Sequence, residues 1–232
     1  VYGAAGRGAA KTTNALLRFA ERDDDCEIDE RALERDVGEL LDVVGRDRVF
    51  FDASGGGVTF SGGEPLAQSK FLIKCLGECH RRGLHTTVDT CGLAPRETLL
   101  EVARRCDLVL YDLKHMDPSR HRSETGSDNR LILENLEALS ESDVDVWIRL
   151  PLIPGFNNDT ENIEATDAFL ERLPRRHRVF VLPYHGVANG KRSRLDETAD
   201  RARPRSPVEA EIGAVAEALE THSIEVTIGG SP

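Results

Sequence analysis

Five stretches of the chain carry charged and polar side chains in patterns that suit chemistry: Ser61-Gly62-Gly63-Glu64-Pro65, Asp89-Thr90-Cys91-Gly92, Asp112-Leu113-Lys114-His115, Arg149, and Tyr184-His185. The first is a glycine turn of the sort that cradles phosphate, yet its one charged side chain is a glutamate, which repels phosphate. Glu64, Asp89 and Asp112 together with Lys114, Arg149 and His185 suit a zwitterion such as the ammonium and carboxylate of an amino acid. Glycines at 62 and 63 would let backbone approach without a Cβ in the way, and carboxylates accept charge-assisted hydrogen bonds from an ammonium group. Each residue alone also has a plainer reading. SGGGV is a tight turn, Glu64 a first-turn residue favoured by the helix dipole, Asp89 and Asp112 strand-end caps, Lys114 a solvated neighbour of Asp112, and His185 a structural histidine. Their recurrence at successive strand ends is what favours a site.

The elements that would position them follow from periodicity. A helix begins near Asp29 with an apolar face of Leu33, Val37, Leu40, Leu41 and Val44. Strand GVTF (57–60) leads to a helix over about 65–82 that Gly83 stops. Strand HTTVDT (85–90) precedes a helix opened by Pro95, which suits a first turn. DLVLYDL (107–113) is nearly all apolar between its ends, as a strand buried on both faces should be. A helix carrying Leu131, Ile132, Leu136 and Leu139 leads to VDVWIRL, a helix over about 160–173 to VFVLPY, and a helix over about 207–221 to IEVTI. Six strands alternating with helices predict right-handed βαβ units and a parallel sheet, an α/β fold whose functional groups gather at the C-terminal strand ends. The polar stretch 186–207 reads as a long surface loop.

Composition narrows the partners. With 30 basic and 41 acidic residues the net charge is -11, which argues against nucleic acid or an anionic membrane. Only five of the basic residues are lysines, a faint sign of salt adaptation. Apolar runs are far shorter than the roughly 20 residues of a spanning helix, and no leader pattern opens the sequence, so a cytoplasmic location is expected. Five cysteines, an odd number without small-domain spacing, predict reduced thiols. Cys75 and Cys79 share an apolar helix face with Leu72 and Leu76 and read as buried thiols ahead of a metal pair. Cys91 at a strand end reads as reachable, and Cys106 as core.

In order and spacing, GGGVTFSGGEPLAQ, HTTVDTCG, LVLYDLKHMDPSRHRSETG, ILENLEAL, IRLPLIPGFNND, VFVLPYH and the terminal VTIGG resemble the radical S-adenosylmethionine activases of glycyl radical enzymes, the pyruvate formate-lyase activating enzyme family. The resemblance covers about 28–230. It implies a partial (β/α)6 TIM-like barrel holding a [4Fe-4S] cluster and S-adenosylmethionine. Reductive cleavage would yield a 5′-deoxyadenosyl radical that installs a glycyl radical on a partner enzyme, the cofactors carrying the difficult chemistry. It further implies that Gly62, Gly63 and Glu64 meet the methionyl amino group, and that Asp89 and Thr90 flank a monovalent cation. Asp112 and Lys114 would contact the amino and carboxylate ends, His185 the ribose or carboxylate, and Arg149 the cofactor or the partner peptide. His115 and His121 receive no role, and Cys91 stands at a small-residue position as an incidental side chain. The partners implied are a glycyl radical enzyme and a flavodoxin or ferredoxin donor, with the activase a monomer.

One departure matters. Family members ligate the cluster with C-x3-C-x2-C after the first strand, and this sequence has no such motif; Arg82 stands where a third cysteine would follow Cys75 and Cys79. The expectation is a chain lacking the first strand and cluster loop, so that no cluster ligand and no directly catalytic side chain falls within it. Residues 1–27 would then be a remnant following a ferredoxin-like insert with further clusters, and 28–232 the radical SAM partial barrel. On this reading the chain alone is inactive, and strand 57–60 exposes an unpaired edge. The alternatives are a degenerate homologue that only binds S-adenosylmethionine or the partner, and a barrel aldolase or isomerase with Lys114 as nucleophile.

Overall fold

Short β-branched strands alternate with amphipathic helices along the chain, and the order in space repeats the order in sequence. The computed structural model describes residues 30–184, 205–220 and 225–229. Its strands are β1 (Gly57–Phe60), β2 (His85–Thr90), β3 (Leu108–Asp112), β4 (Asp145–Leu152), β5 (Arg178–Pro183) and β6 (Val226–Ile228), in the sheet order β1-β2-β3-β4-β5-β6. The registers are parallel, with Gly57 opposite His85, Thr87 opposite Leu108, Trp147 opposite Arg178 and Val179 opposite Val226. The sheet is an open, six-stranded parallel arrangement, as the alternating pattern predicts. Among the described residues β1 pairs only with β2.

The helices are α1 (Glu30–Val44), α2 (Arg48–Ser54), α3 (Ser69–Arg81), α4 (Arg96–Ala103), α5 (Pro118–Thr125), α6 (Arg130–Ser140), α7 (Thr160–Glu171) and α8 (Glu209–Glu220). Two departures from periodicity have clear causes. The predicted helix over 65–82 is a 3-10 turn, Pro65–Gln68, followed by α3. Pro65 has no N–H to give, the Glu64 side chain takes the Leu66 amide at 3.1 Å, and Ala67 N closes an i→i+3 bond on Glu64 O at 3.1 Å. Helices α2 and α5 carry little apolar period, so periodicity alone passes over them. In α5 only His121 is buried; its start is written instead in the cap Asp117 and in Pro118, its stop in left-handed Gly126.

The chain divides into two compact units. The first comprises β1, β2, most of β3 and the stretch Glu134–Val146; the second begins at Asp112 and takes in the rest of β4 with β5 and β6. In the first, α3 buries Leu72, Cys75, Leu76 and Cys79 at i, i+3, i+4 and i+7. Each such leucine contributes about 1.5–3 kcal/mol on leaving water. All four residues of β1 are buried, and Gly57 is required there because a Cβ would lie 2.1 Å from His85 O. In the second, Leu113 just past β3 and Ile148, Leu152, Val179 and Val181 from the strands are buried, as are Phe169, Leu170, Val215 and Leu219 from α7 and α8.

Cys75 and Cys79 are fully buried, as their helix face predicts. Cys106 differs from expectation: it is half-buried, just past the end of α4, with its thiol 3.7 Å from Ala103 O. His185, Cys26 and residues 1–27 lie outside the described residues, as does nearly all of the predicted surface loop.

Candidate functional site

In the first unit the site is built from the ends of β1 and β2. The chain leaves β1 through Ser61, Gly62 and Gly63; both glycines are exposed, Gly62 has φ 150°, and open space stands where a Cβ would be at either. Glu64 is half-buried and its carboxylate is the hub. Oε1 accepts from Leu66 N at 3.1 Å and from the Thr90 hydroxyl at 2.5 Å, while Oε2 accepts from Cys91 N at 3.0 Å and from the Cys91 thiol at 3.1 Å. Donors from β1's exit and from β2's exit therefore hold one carboxylate. The Thr90 oxygen in turn accepts Gly92 N at 2.9 Å. Asp89, one residue earlier, is half-buried and stands at the same strand end.

Gly92 itself is dictated by packing. Its φ is 72°, and a Cβ there would lie 1.8 Å from the Tyr111 hydroxyl. Tyr111 is fully buried, and burial pushes its phenol well above the usual range. Asn135 completes the turn by donating to Gly92 O at 2.7 Å and to Ala94 O at 2.8 Å.

In the second unit the charged group stands at the ends of β3 and β4. Arg149 reaches Asp112 Oδ1 with Nε at 2.9 Å and Nη2 at 2.6 Å, and Lys114 Nζ lies 3.8 Å from Asp112 Oδ2. One carboxylate and two cations leave this group with a net positive charge.

The structure thus brings Glu64 to Thr90, and Asp112 to Lys114 and Arg149. Sequence reasoning passed over Cys91, taken as incidental, whose amide and thiol both serve Glu64. It also passed over Asn129, Asn135, Asn157 and Asn162, all buried, because a lone buried asparagine, in helix or loop, leaves no periodic trace. His115 and His121, given no role, are buried structural residues: Asp117 N donates to His115 Nδ1 at 2.9 Å, and His121 Nδ1 lies 2.6 Å from Ser127 O.

The fit to cofactors differs between the two implied. The acid and base groups above have the chemistry for an amino acid moiety. No group of three or more His, Cys, Asp and Glu side chains among the described residues is placed to hold a metal ion, so a [4Fe-4S] cluster does not fit them. Burial pushes the Cys79 and Cys106 thiols up to about 12, and Cys75 higher still, the reverse of what thiolate ligation needs. No helix of the described residues is long and apolar enough to cross a membrane.

Comparison with known proteins bears on the family of the chain. The Radical SAM superfamily matches residues 19–166. The trans-4-hydroxy-L-proline dehydratase activating enzyme of Clostridioides difficile is 37% identical over 200 residues, 85% of this chain and 66% of that one. The pyruvate formate-lyase-activating enzyme of Staphylococcus aureus (strain USA300) is 36% identical over 182 residues, covering 75% of this chain and 72% of its own. Against other activating enzymes the chain spans about half of their length. Among solved structures, a domain of pyruvate-formate lyase-activating enzyme from Bacteroides vulgatus ATCC 8482 superposes with TM-score 0.65 at 39% identity, over 75% of this chain and 99% of that one. The chain belongs to the radical SAM superfamily, within the family of glycyl-radical-enzyme activating enzymes.

Proposed function

We propose that this chain is the S-adenosylmethionine-binding part of a cytoplasmic activase that installs a glycyl radical on a partner enzyme, with the electron coming from a flavodoxin or ferredoxin. The observation that carries the binding reading is the Glu64 carboxylate, fixed by Thr90 and Cys91 at the strand ends where a phosphate site would be basic. Bound S-adenosylmethionine would supply the hydrogen-abstracting carbon radical. The residues of this chain bind and orient it. Backbone carbonyls at Gly62 and Gly63 accept hydrogen bonds from the methionyl ammonium beside the negative charge of Glu64, whose oxygens are held by Leu66 N, Thr90 and Cys91. Lys114 and Arg149 take its carboxylate, Asp112 holding the two cations and offering its remaining lone pairs to the ammonium. His185 is assigned to the ribose or carboxylate. Asp89, with the Thr90 lone pair left after Gly92 N, offers hard oxygens to a monovalent cation. No step is assigned to the cluster, whose ligand set the described residues do not contain. The division into 1–27 and a partial barrel from 28 onward belongs to the same reading.

Titration of S-adenosylmethionine into the 232-residue chain tests it. Micromolar to millimolar binding is expected, weakened about tenfold or more by Glu64→Gln and by Lys114→Met, in line with lost charge interactions. Absence of binding by the unaltered chain sinks the reading. Binding without cleavage under a strong reductant would favour a binding module over an activase.

A further inference from the structure

Three buried asparagines converge on the turn that follows β3. A turn running through the interior cannot leave its backbone polar groups bare, and here side-chain amides answer them. Asn129 donates to His115 O and to Met116 O, both at 2.7 Å; Asn162 accepts from Met116 N at 2.8 Å. Asn157 donates to Lys114 O at 2.8 Å and to Pro151 O at 2.7 Å.

Asn157 differs from the other two in what it joins. Lys114 lies two residues past Asp112 at the end of β3, and Pro151 lies in β4 two residues past Arg149. Arg149 and Pro151, two apart within β4, share a face of that strand, and Lys114 lies in the turn just past the end of β3. One side chain therefore grips the main chain beside both members of the Asp112–Arg149 pair, and grips Lys114 directly. Both N–H bonds are spent on the two carbonyls, Oδ1 accepts Ile153 N at 2.8 Å, and its main-chain carbonyl accepts Asn162 Nδ2 at 3.0 Å. Carboxylates accept only and lysine or arginine donate only, so a short side chain that donates twice and accepts once must be asparagine. A satisfied, buried amide of this kind has one orientation and transmits it.

We infer that Asn157 is a positioning residue: acting through the carbonyls of Lys114 and Pro151, it sets the Lys114 ammonium and the Arg149 guanidinium at the spacing one carboxylate can bridge. Asn129 and Asn162 support it by holding the rest of the turn. The inference rests on the reading that these cations take the S-adenosylmethionine carboxylate.

A double-mutant cycle on the full chain tests it, with S-adenosylmethionine as the titrant and a thermal melt on every variant. Asn157→Ala should weaken binding about tenfold, within the range for neighbours coupled through one hydrogen-bond network. In a Lys114→Met background the same change should weaken binding only about threefold, because one of the two cations it positions is gone. Equal weakening in both backgrounds means a merely structural asparagine and overturns the inference, as does no weakening in the parent. If Asn157→Ala loses its cooperative melt, Asn157→Asp carries the cycle. That variant keeps the acceptor for Ile153 N and should bind poorly at pH 8, recovering in part near pH 5.5 as the protonated carboxyl regains one donor. No recovery counts against the inference. Failure of the underlying reading looks different: the unaltered chain does not bind, or Lys114→Met binds as well as the parent.

Discussion

Arg149 Nε and Nη2 lie 2.9 and 2.6 Å from the same oxygen of Asp112, while Lys114 addresses the other oxygen from 3.8 Å. The guanidinium meets the carboxylate with two donors and the lysine with none at hydrogen-bond distance, so the two cations are not interchangeable. Arg149→Lys should therefore lower stability by about 1–2 kcal/mol, as expected for losing charge-assisted hydrogen bonds at a mostly buried pair. Urea denaturation reads it, and an unchanged midpoint would show the pair to be incidental.

Gly92 is the residue least able to change. An alanine there incurs both the left-handed backbone penalty and a Cβ 1.8 Å from the Tyr111 hydroxyl. A loss of about 2–5 kcal/mol is expected from strain and overpacking together. Adding Tyr111→Phe should not restore stability, because the ring carbon Cζ would still lie 2.3 Å from the new methyl. Full rescue by the phenylalanine would show that the packing argument is wrong.

Thiol reactivity should rank the cysteines by environment. At pH 8 a thiol held at about 12 by burial, as in Cys79 and Cys106, is ionised in only about one molecule in ten thousand. Cys91 is half-buried with its thiol on Glu64, and Cys75 and Cys79 are sealed in the core. Maleimide labelling with peptide mapping should find Cys91 modified before Cys75 and Cys79, which react only on unfolding. Early modification of Cys75 or Cys79 contradicts the α3 packing.

His115 predicts an acid sensitivity of known sign. Burial is the main cause of its lowered pKa, with Arg120 adding to it, and its Nδ1 accepts from Asp117 N. The folded protein holds the ring neutral where the unfolded chain, at the ordinary 6.5, takes up a proton. Stability from this group is complete above 6.5 and falls as pH drops from there through the lowered folded value. His115→Gln keeps an acceptor for the Asp117 amide without titrating. It should flatten the decline between pH 6.5 and 5 in denaturant titrations; an identical slope would remove His115 from the account.

The strands and the long helices were legible because each carries its period within itself. Leu72, Cys75, Leu76 and Cys79 repeat at helical spacing and are all buried, and the apolar run 108–111 announces a strand covered on both faces. The short helices α2 and α5 were not: the apolar residues of α2, Val49, Phe50 and Phe51, are consecutive instead of helically spaced and none is buried, and α5 has no apolar face. Of the candidate site residues, Glu64, Asp89, Thr90, Asp112, Lys114 and Arg149 were visible as charged or polar groups at strand ends, the position where parallel folds place function.

By itself the sequence determined the parallel alternation, the core faces, the acidic character of the glycine turn and the family motifs, all properties of neighbours along the chain. Only the tertiary structure decided which donors hold Glu64, that Cys91 is one of them, and that Gly92 yields to Tyr111. It alone also showed Asn157 joining Lys114 to Pro151. Those are contacts across 26, 27, 19, and 43 and 6 positions of chain. Hydrogen bonds of this kind depend on where two segments meet in space, and a buried amide or thiol satisfies its partner at one geometry that no local pattern records.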